Sequence, residues 1–170
     1  MKKVYLLPVI VITLGILLTG CPVSSTYPLG EQEKAEPINR ELLGTWVNTQ
    51  EGTEANKIVV EKGKEKNTYE INVIEKGSSF MADGDKFIAW VTTMNDLKFM
   101  VLKEILIDNK TPKYYVYNFT VRDNELTTHD ITLKVKGTDA ITSIQAYREE
   151  VAASINKEDF LQGRITWNKE

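Results

Sequence analysis

The chain offers few groups on which chemistry could turn: one cysteine, Cys21, and one histidine, His129, in 170 residues. His129 is followed by Asp130, the residue types of a general base and an orienting carboxylate. They lie in a stretch that reads as a strand, where neighbouring side chains point to opposite faces, so the pair is not expected to work together. No serine stands in a nucleophile-elbow sequence. Asp83-Gly84-Asp85 places two carboxylates around a glycine. A calcium loop needs about six to eight oxygens, and no EF-hand spacing follows, so a hairpin turn is expected there. The run Lys62 to Lys66 reads as a solvated turn. These residues predict no catalytic site, no metal site and no cofactor, and the chain is not expected to be an enzyme.

The spacing around Cys21 is more informative. Lys2 and Lys3 precede an uncharged apolar run, Val4 to Leu18, interrupted by Pro8 and Gly15. That run is short of the ~20 residues of a comfortable bilayer span. It ends in Leu18-Thr19-Gly20-Cys21, where small residues let the chain lie extended in a peptidase groove beside a nucleophilic thiol. The segment resembles the signal and lipobox of bacterial lipoproteins. The resemblance implies a signal peptide over residues 1–20, cleavage between Gly20 and Cys21, and lipid on Cys21. The two or three acyl chains that lipoproteins carry would hold the protein stably at a membrane, where one chain binds only marginally. The implied location is the cell envelope. Pro22, in place of the aspartate that retains lipoproteins at the inner membrane of enteric bacteria, points to the outer membrane if the host has one.

From Cys21 onward the chain carries nineteen basic and twenty-four acidic residues, a net charge near −5. The two signs alternate without a basic stripe, so a nucleic-acid partner is not expected. A lone cysteine closes no intrachain disulfide, and stability must come from a buried core, for which about 130 residues suffice.

What must position any site is a set of strands. Residues 21–40, with three prolines, two serines and a glycine, have no apolar periodicity and read as a flexible tether. The folded domain is expected over residues 41–170. Period-two alternation predicts strands at Leu43–Asn48, Lys57–Glu61, Thr68–Glu75, Ser79–Ala82, Phe87–Thr93, Leu97–Ile107, Tyr114–Arg122 and Leu126–Val135, with turns at Asn95-Asp96 and Asp123-Asn124. A helix capped by Thr138 or Asp139 follows, carrying Ile141, Ile144, Val151 and Ile155. Glu158 to Leu161 reads as a further helical turn, and Gly163 to Trp167 as a last strand. Consecutive short strands argue for an antiparallel barrel or sandwich, and a barrel leaves no exposed edges.

Gly44-Thr45-Trp46 resembles the Gly-x-Trp that opens the first strand of lipocalins, preceded by a short turn, Asn39 to Leu43, like the one that closes their barrel base. The resemblance implies a mainly β, lipocalin-like (calycin-type) antiparallel barrel of eight to nine strands, with one helix before the last. It also implies that Trp46 packs beneath a cation from the final strand, for which Arg164 is the candidate. Trp90, Phe99, Tyr115, Tyr117 and Phe119 lie on central strands and either fill such a barrel or line a ligand cavity. The expected function is a membrane-anchored envelope protein binding a small apolar ligand. The alternative is a non-enzymatic interaction or structural module that docks an envelope protein. A cavity of ~300 Å3 or more favours the first, and a filled barrel with an exposed apolar patch the second.

Overall fold

The computed structural model describes residues 23–50, 55–76, 84–105 and 111–170. The signal segment with Gly20 and Cys21, the strand expected at Ser79–Ala82, and Asp83 lie outside the described residues. Nine strands and one α-helix are present among the described ones: β1 Ser24–Ser25, β2 Gly44–Val47, β3 Ala55–Lys62, β4 Tyr69–Lys76, β5 Lys86–Met94, β6 Leu97–Glu104, β7 Tyr114–Arg122, β8 Glu125–Ile131, α1 Ile144–Ser154 and β9 Leu161–Lys169.

The strands β2 to β9 close into an antiparallel eight-stranded barrel. The order runs β7-β6-β5-β4-β3-β2-β9-β8, and β8 pairs back onto β7; β1 is an extra strand on β7. This is the mainly β barrel expected from the sequence, with the helix before the last strand. Two hairpins turn through residues that tolerate positive φ: Asn95 and Asp96 at 47° and 64°, and Asp123 and Asn124 at 48° and 67°. Both central residues are left-handed, as a two-residue type I′ hairpin requires.

Helix α1 starts later than expected. Its N-cap is Ser143, whose hydroxyl accepts from the Ala146 N–H at 3.0 Å. Thr138–Ala140 form a separate 3-10 turn. Strand β8 ends at Ile131, because the chain beyond it leaves the sheet to wrap a buried carboxylate. One Glu150 oxygen accepts from the backbone N–H groups of Val135 (3.0 Å), Lys136 (2.9 Å) and Gly137 (3.3 Å) and from the Ser154 hydroxyl (3.2 Å). Burial alone would raise the Glu150 pKa; these donors outweigh it and hold the carboxyl below its ordinary value. Leu161, expected in a helical turn, opens β9, which runs to Lys169.

The flexible tether expected over residues 21–40 is the main correction, since residues 23–36 pack along the outside of the barrel as a strap and Ile38 to Arg40 turn in to its base. Ser24 and Ser25 pair with Tyr115 and Tyr114. Val23, Leu29 and Ala35 are buried. The Trp90 indole donates to the Gly30 carbonyl at 3.0 Å, and the Glu36 N–H reaches the Val91 carbonyl at 3.0 Å. The strap lies so close to β5 that a Cβ on Gly30 would stand 2.8 Å from the Thr92 hydroxyl oxygen. Its proline-rich composition hides this, because an extended segment laid on a surface needs a few apolar anchors and no periodicity.

Two apolar cores result, one on each side of the barrel wall. The inner core contains Val60, Ile71, Phe87, Leu102, Tyr117 and Phe119. The outer core lies beneath the strap and α1, where Trp90, Phe99, Val101 and Val116 meet Leu29 and Tyr147.

Candidate functional site: the barrel interior and its closed base

One end of the barrel is closed by residues just before β2. Arg40–Leu42 form a 3-10 turn capped by the Asn39 side chain. The Trp46 indole donates to the Leu42 carbonyl at 2.8 Å, and the Asn39 N–H donates to the Tyr69 hydroxyl at 2.8 Å. Burial raises the Tyr69 pKa despite that bond, so the phenol stays protonated. The cation over Trp46 is Lys169, with its Nζ 5.2 Å from the ring centroid. It is not Arg164, which is exposed further back along β9 and offers its carbonyl to the Gln50 side chain at 3.4 Å. The register decides between them: Trp46 stands opposite Lys169 where β2 meets β9. The Lys169 ammonium also donates to the Glu41 carbonyl at 2.9 Å. Gly44 makes room for this arrangement. It holds φ at +130°, and a Cβ there would stand 2.8 Å from Lys169 Cε.

Above the base lies a cavity of about 80 Å3. Its floor and walls include Leu42, Val60, Val73, Phe87, Met100 and Leu102, with Tyr117 and Phe119 on β7. Polar atoms enter the lining through few residues: Tyr117, Thr128 and Trp167. The Trp167 indole donates to the Thr128 hydroxyl at 3.1 Å. A lining of this kind attracts carbon and repels charge.

The aromatic residues expected in a cavity therefore divide. Tyr117 and Phe119 line it. Tyr115 also faces inward, edge-on to Phe87 at 6.1 Å, but lies outside the cavity lining, with its hydroxyl toward Glu104 at 3.4 Å. Burial, then the charge and hydrogen bond of Glu104 and the charge of Asp85, push that phenol up to about 12. Trp90 and Phe99 do not face the interior. Period-two alternation turns them outward into the outer core, where they meet Tyr114 and Phe160 edge-on at 6.1 and 6.5 Å. The signal for this was an apolar run in β5 without alternation, Phe87-Ile88-Ala89-Trp90-Val91, which marks a strand buried on both faces.

His129 and Asp130 fall on opposite faces, as expected: Asp130 pairs with inward-facing Tyr117, and His129 with Asn118. Burial and then the Arg164 charge lower the His129 pKa, so the imidazole is held neutral. No hydrogen-bond partner for its Nδ1 is found among the described residues. Gly84 turns at φ +87° between β4 and β5, and its N–H donates to the Val73 carbonyl at 2.9 Å.

Searches against protein-family models, curated proteins and solved structures return no match to this chain. What the architecture defines is a closed antiparallel eight-stranded barrel with an apolar interior and one closed end.

Proposed function

We propose that the chain is a lipocalin-like lipoprotein of the cell envelope, anchored through acylated Cys21, whose barrel receives a slender apolar group. The observation that carries the ligand reading is the carbon-walled cavity above the sealed base. The anchor is supported by the lipobox spacing. The lipocalin likeness is supported by the eight-stranded closure and by a final-strand cation over the tryptophan of Gly-x-Trp.

The volume restricts the ligand. At about 80 Å3 the cavity is roughly half the ~150 Å3 of a dry engineered cavity that accepts benzene. The end of an alkyl chain matches it better than a whole lipid or a fused-ring molecule.

The test is a thermal-shift series on residues 23–170 with linear alcohols from hexanol to dodecanol, beside native mass spectrometry of protein from its own host. A ligand at about a hundred times its dissociation constant adds about 2.7 kcal/mol. For a domain of this size that is roughly 5–10 °C. Ala55→Leu, which fills the cavity from its wall, abolishes the shift. No shift across the series, with an apo mass, overturns the ligand reading. One observation favours the alternative of a protein-docking module: the cavity is below the ~300 Å3 of ordinary ligand pockets. Under that reading the apo protein crosslinks to an envelope partner.

A further inference from the structure

The strap changes what a lipid on Cys21 would do. A flexible tether would hold the barrel at a distance in no fixed orientation. Here the chain is already packed at Val23, which is buried in the outer core, and at Ser24, which is paired to β7. Cys21 is two residues before Val23 in the sequence, and two Cα steps of about 3.8 Å reach at most about 8 Å. The polar layer of a bilayer leaflet is itself only ~5–8 Å deep. The outer surface beside β1 therefore has no room to stand clear of the headgroups.

The charge on that surface fits the contact. A shallow depression there is bordered by Ser24, Ser25, Lys113, Thr138 and Ile141. Two residues before Thr138 the exposed run Lys134-Val135-Lys136 begins its return to the core, held in place by the Glu150 carboxylate. Lys113, Lys134 and Lys136 make no ion pair among those described, and Val135 between two of them is 50% exposed. Acidic groups nearby include Asp139, Glu158 and Asp159, which are exposed, Glu150, which is buried against its donors, and Glu104, which is turned to the Tyr115 hydroxyl. A cationic face with an apolar tip on a chain of net negative charge is suited to an anionic lipid surface, within whose Debye length these lysines would lie.

We propose that the barrel rests against the membrane by the β7–β8 side of the end away from its base, with Lys113, Lys134, Val135 and Lys136 in the anionic headgroup layer and β3 on the far side. This rests on the lipoprotein reading and adds an orientation to it. The strand order puts β3 diametrically opposite β7.

The experiment uses the full-length chain, acylated in a bacterial host, with a single fluorophore on Thr138→Cys or on Glu61→Cys. Both sites are exposed, one beside β1 and one on the outside of β3. Each protein is reconstituted in phosphatidylethanolamine–phosphatidylglycerol vesicles that carry a headgroup nitroxide quencher. The expected result is loss of fluorescence at position 138 and none at position 61. Equal quenching at the two positions, or none at 138, in protein that floats with the vesicles and carries the acyl mass on its N-terminal peptide, overturns the orientation and leaves the anchor standing. An N-terminal peptide without acyl mass overturns the lipoprotein reading, and the orientation with it.

Discussion

Leu29→Ala tests whether the strap belongs to the fold. Leu29 is fully buried. Its own carbonyl accepts from the Arg148 guanidinium at 3.2 Å, and the next carbonyl, of Gly30, accepts from the Trp90 indole at 3.0 Å. The backbone on which the side chain sits is thus pinned at two consecutive residues, and the site cannot collapse into the space a truncation leaves. Buried leucine-to-alanine changes cost about 2–5 kcal/mol, with the larger values where collapse is blocked. A cost of about 3–4 kcal/mol lowers the melting temperature of a domain this size by roughly 10 °C. Circular dichroism of residues 23–170 under heat and urea measures the change, with tryptophan fluorescence followed in parallel because Trp90 lies under the strap. Glu33→Ala, an exposed position in the same segment, is the control and changes stability by no more than about 0.5 kcal/mol. If Leu29→Ala matches that control, the strap is a tether after all and the argument from burial fails.

Tyr147 is buried in the outer core, and its hydroxyl has no hydrogen-bond partner among the described residues. Tyr147→Phe removes the desolvation cost of that group and raises stability by about 1 kcal/mol, read as a higher urea midpoint at unchanged m-value. Lys169→Met keeps the aliphatic stem beside Gly44 but loses the charge over Trp46, costing about 1 kcal/mol. Arg164→Met, which leaves that stack intact, changes stability by less than about 0.5 kcal/mol. Stability also falls with acid in two stages. His129 has its folded pKa lowered, so the unfolded chain binds the proton first, and stability declines as pH drops below the ordinary histidine value. Glu150, likewise lowered, contributes stability present above the ordinary carboxylate range and lost as pH falls through its folded pKa. His129→Asn removes the first stage and Glu150→Gln the second, in melting temperatures taken across pH.

The hairpins were legible because their signal is local: Asn-Asp and Asp-Asn pairs between alternating runs can adopt two successive left-handed conformations at little cost. The barrel followed from counting such strands. The strap was not legible, because nothing local distinguishes Pro28-Leu29-Gly30 in solution from the same residues laid over Trp90. Only the apolar outer faces of β5 and β6 show that something must cover them. The same oversight put Trp90 and Phe99 among the residues that fill the barrel or line a cavity. The cation was misassigned for a different reason. The expected strand stopped at Trp167, and its two-residue continuation to Lys169 carries the partner of Trp46.

The seam between β2 and β9 has a kinetic consequence. Among the described residues two strand pairs join them, Trp46 with Lys169 and Val47 with Asn168, supported by the Glu170 N–H to the Thr45 carbonyl at 3.0 Å, the Thr166 N–H to the Gln50 side chain at 2.9 Å and the Lys57–Glu170 ion pair at 2.6 Å. The joints from β2–β3 to β7–β8 link strands that follow one another closely in the chain, and β8–β9 closes across the connection that carries α1. The β2–β9 seam joins the first barrel strand to the last. Ring closure therefore waits until β9 has been synthesised, and a chain halted earlier is an open, curled sheet with two unpaired edges. Such a sheet can still be drawn out as a thread, whereas the latched ring resists being pulled from either end.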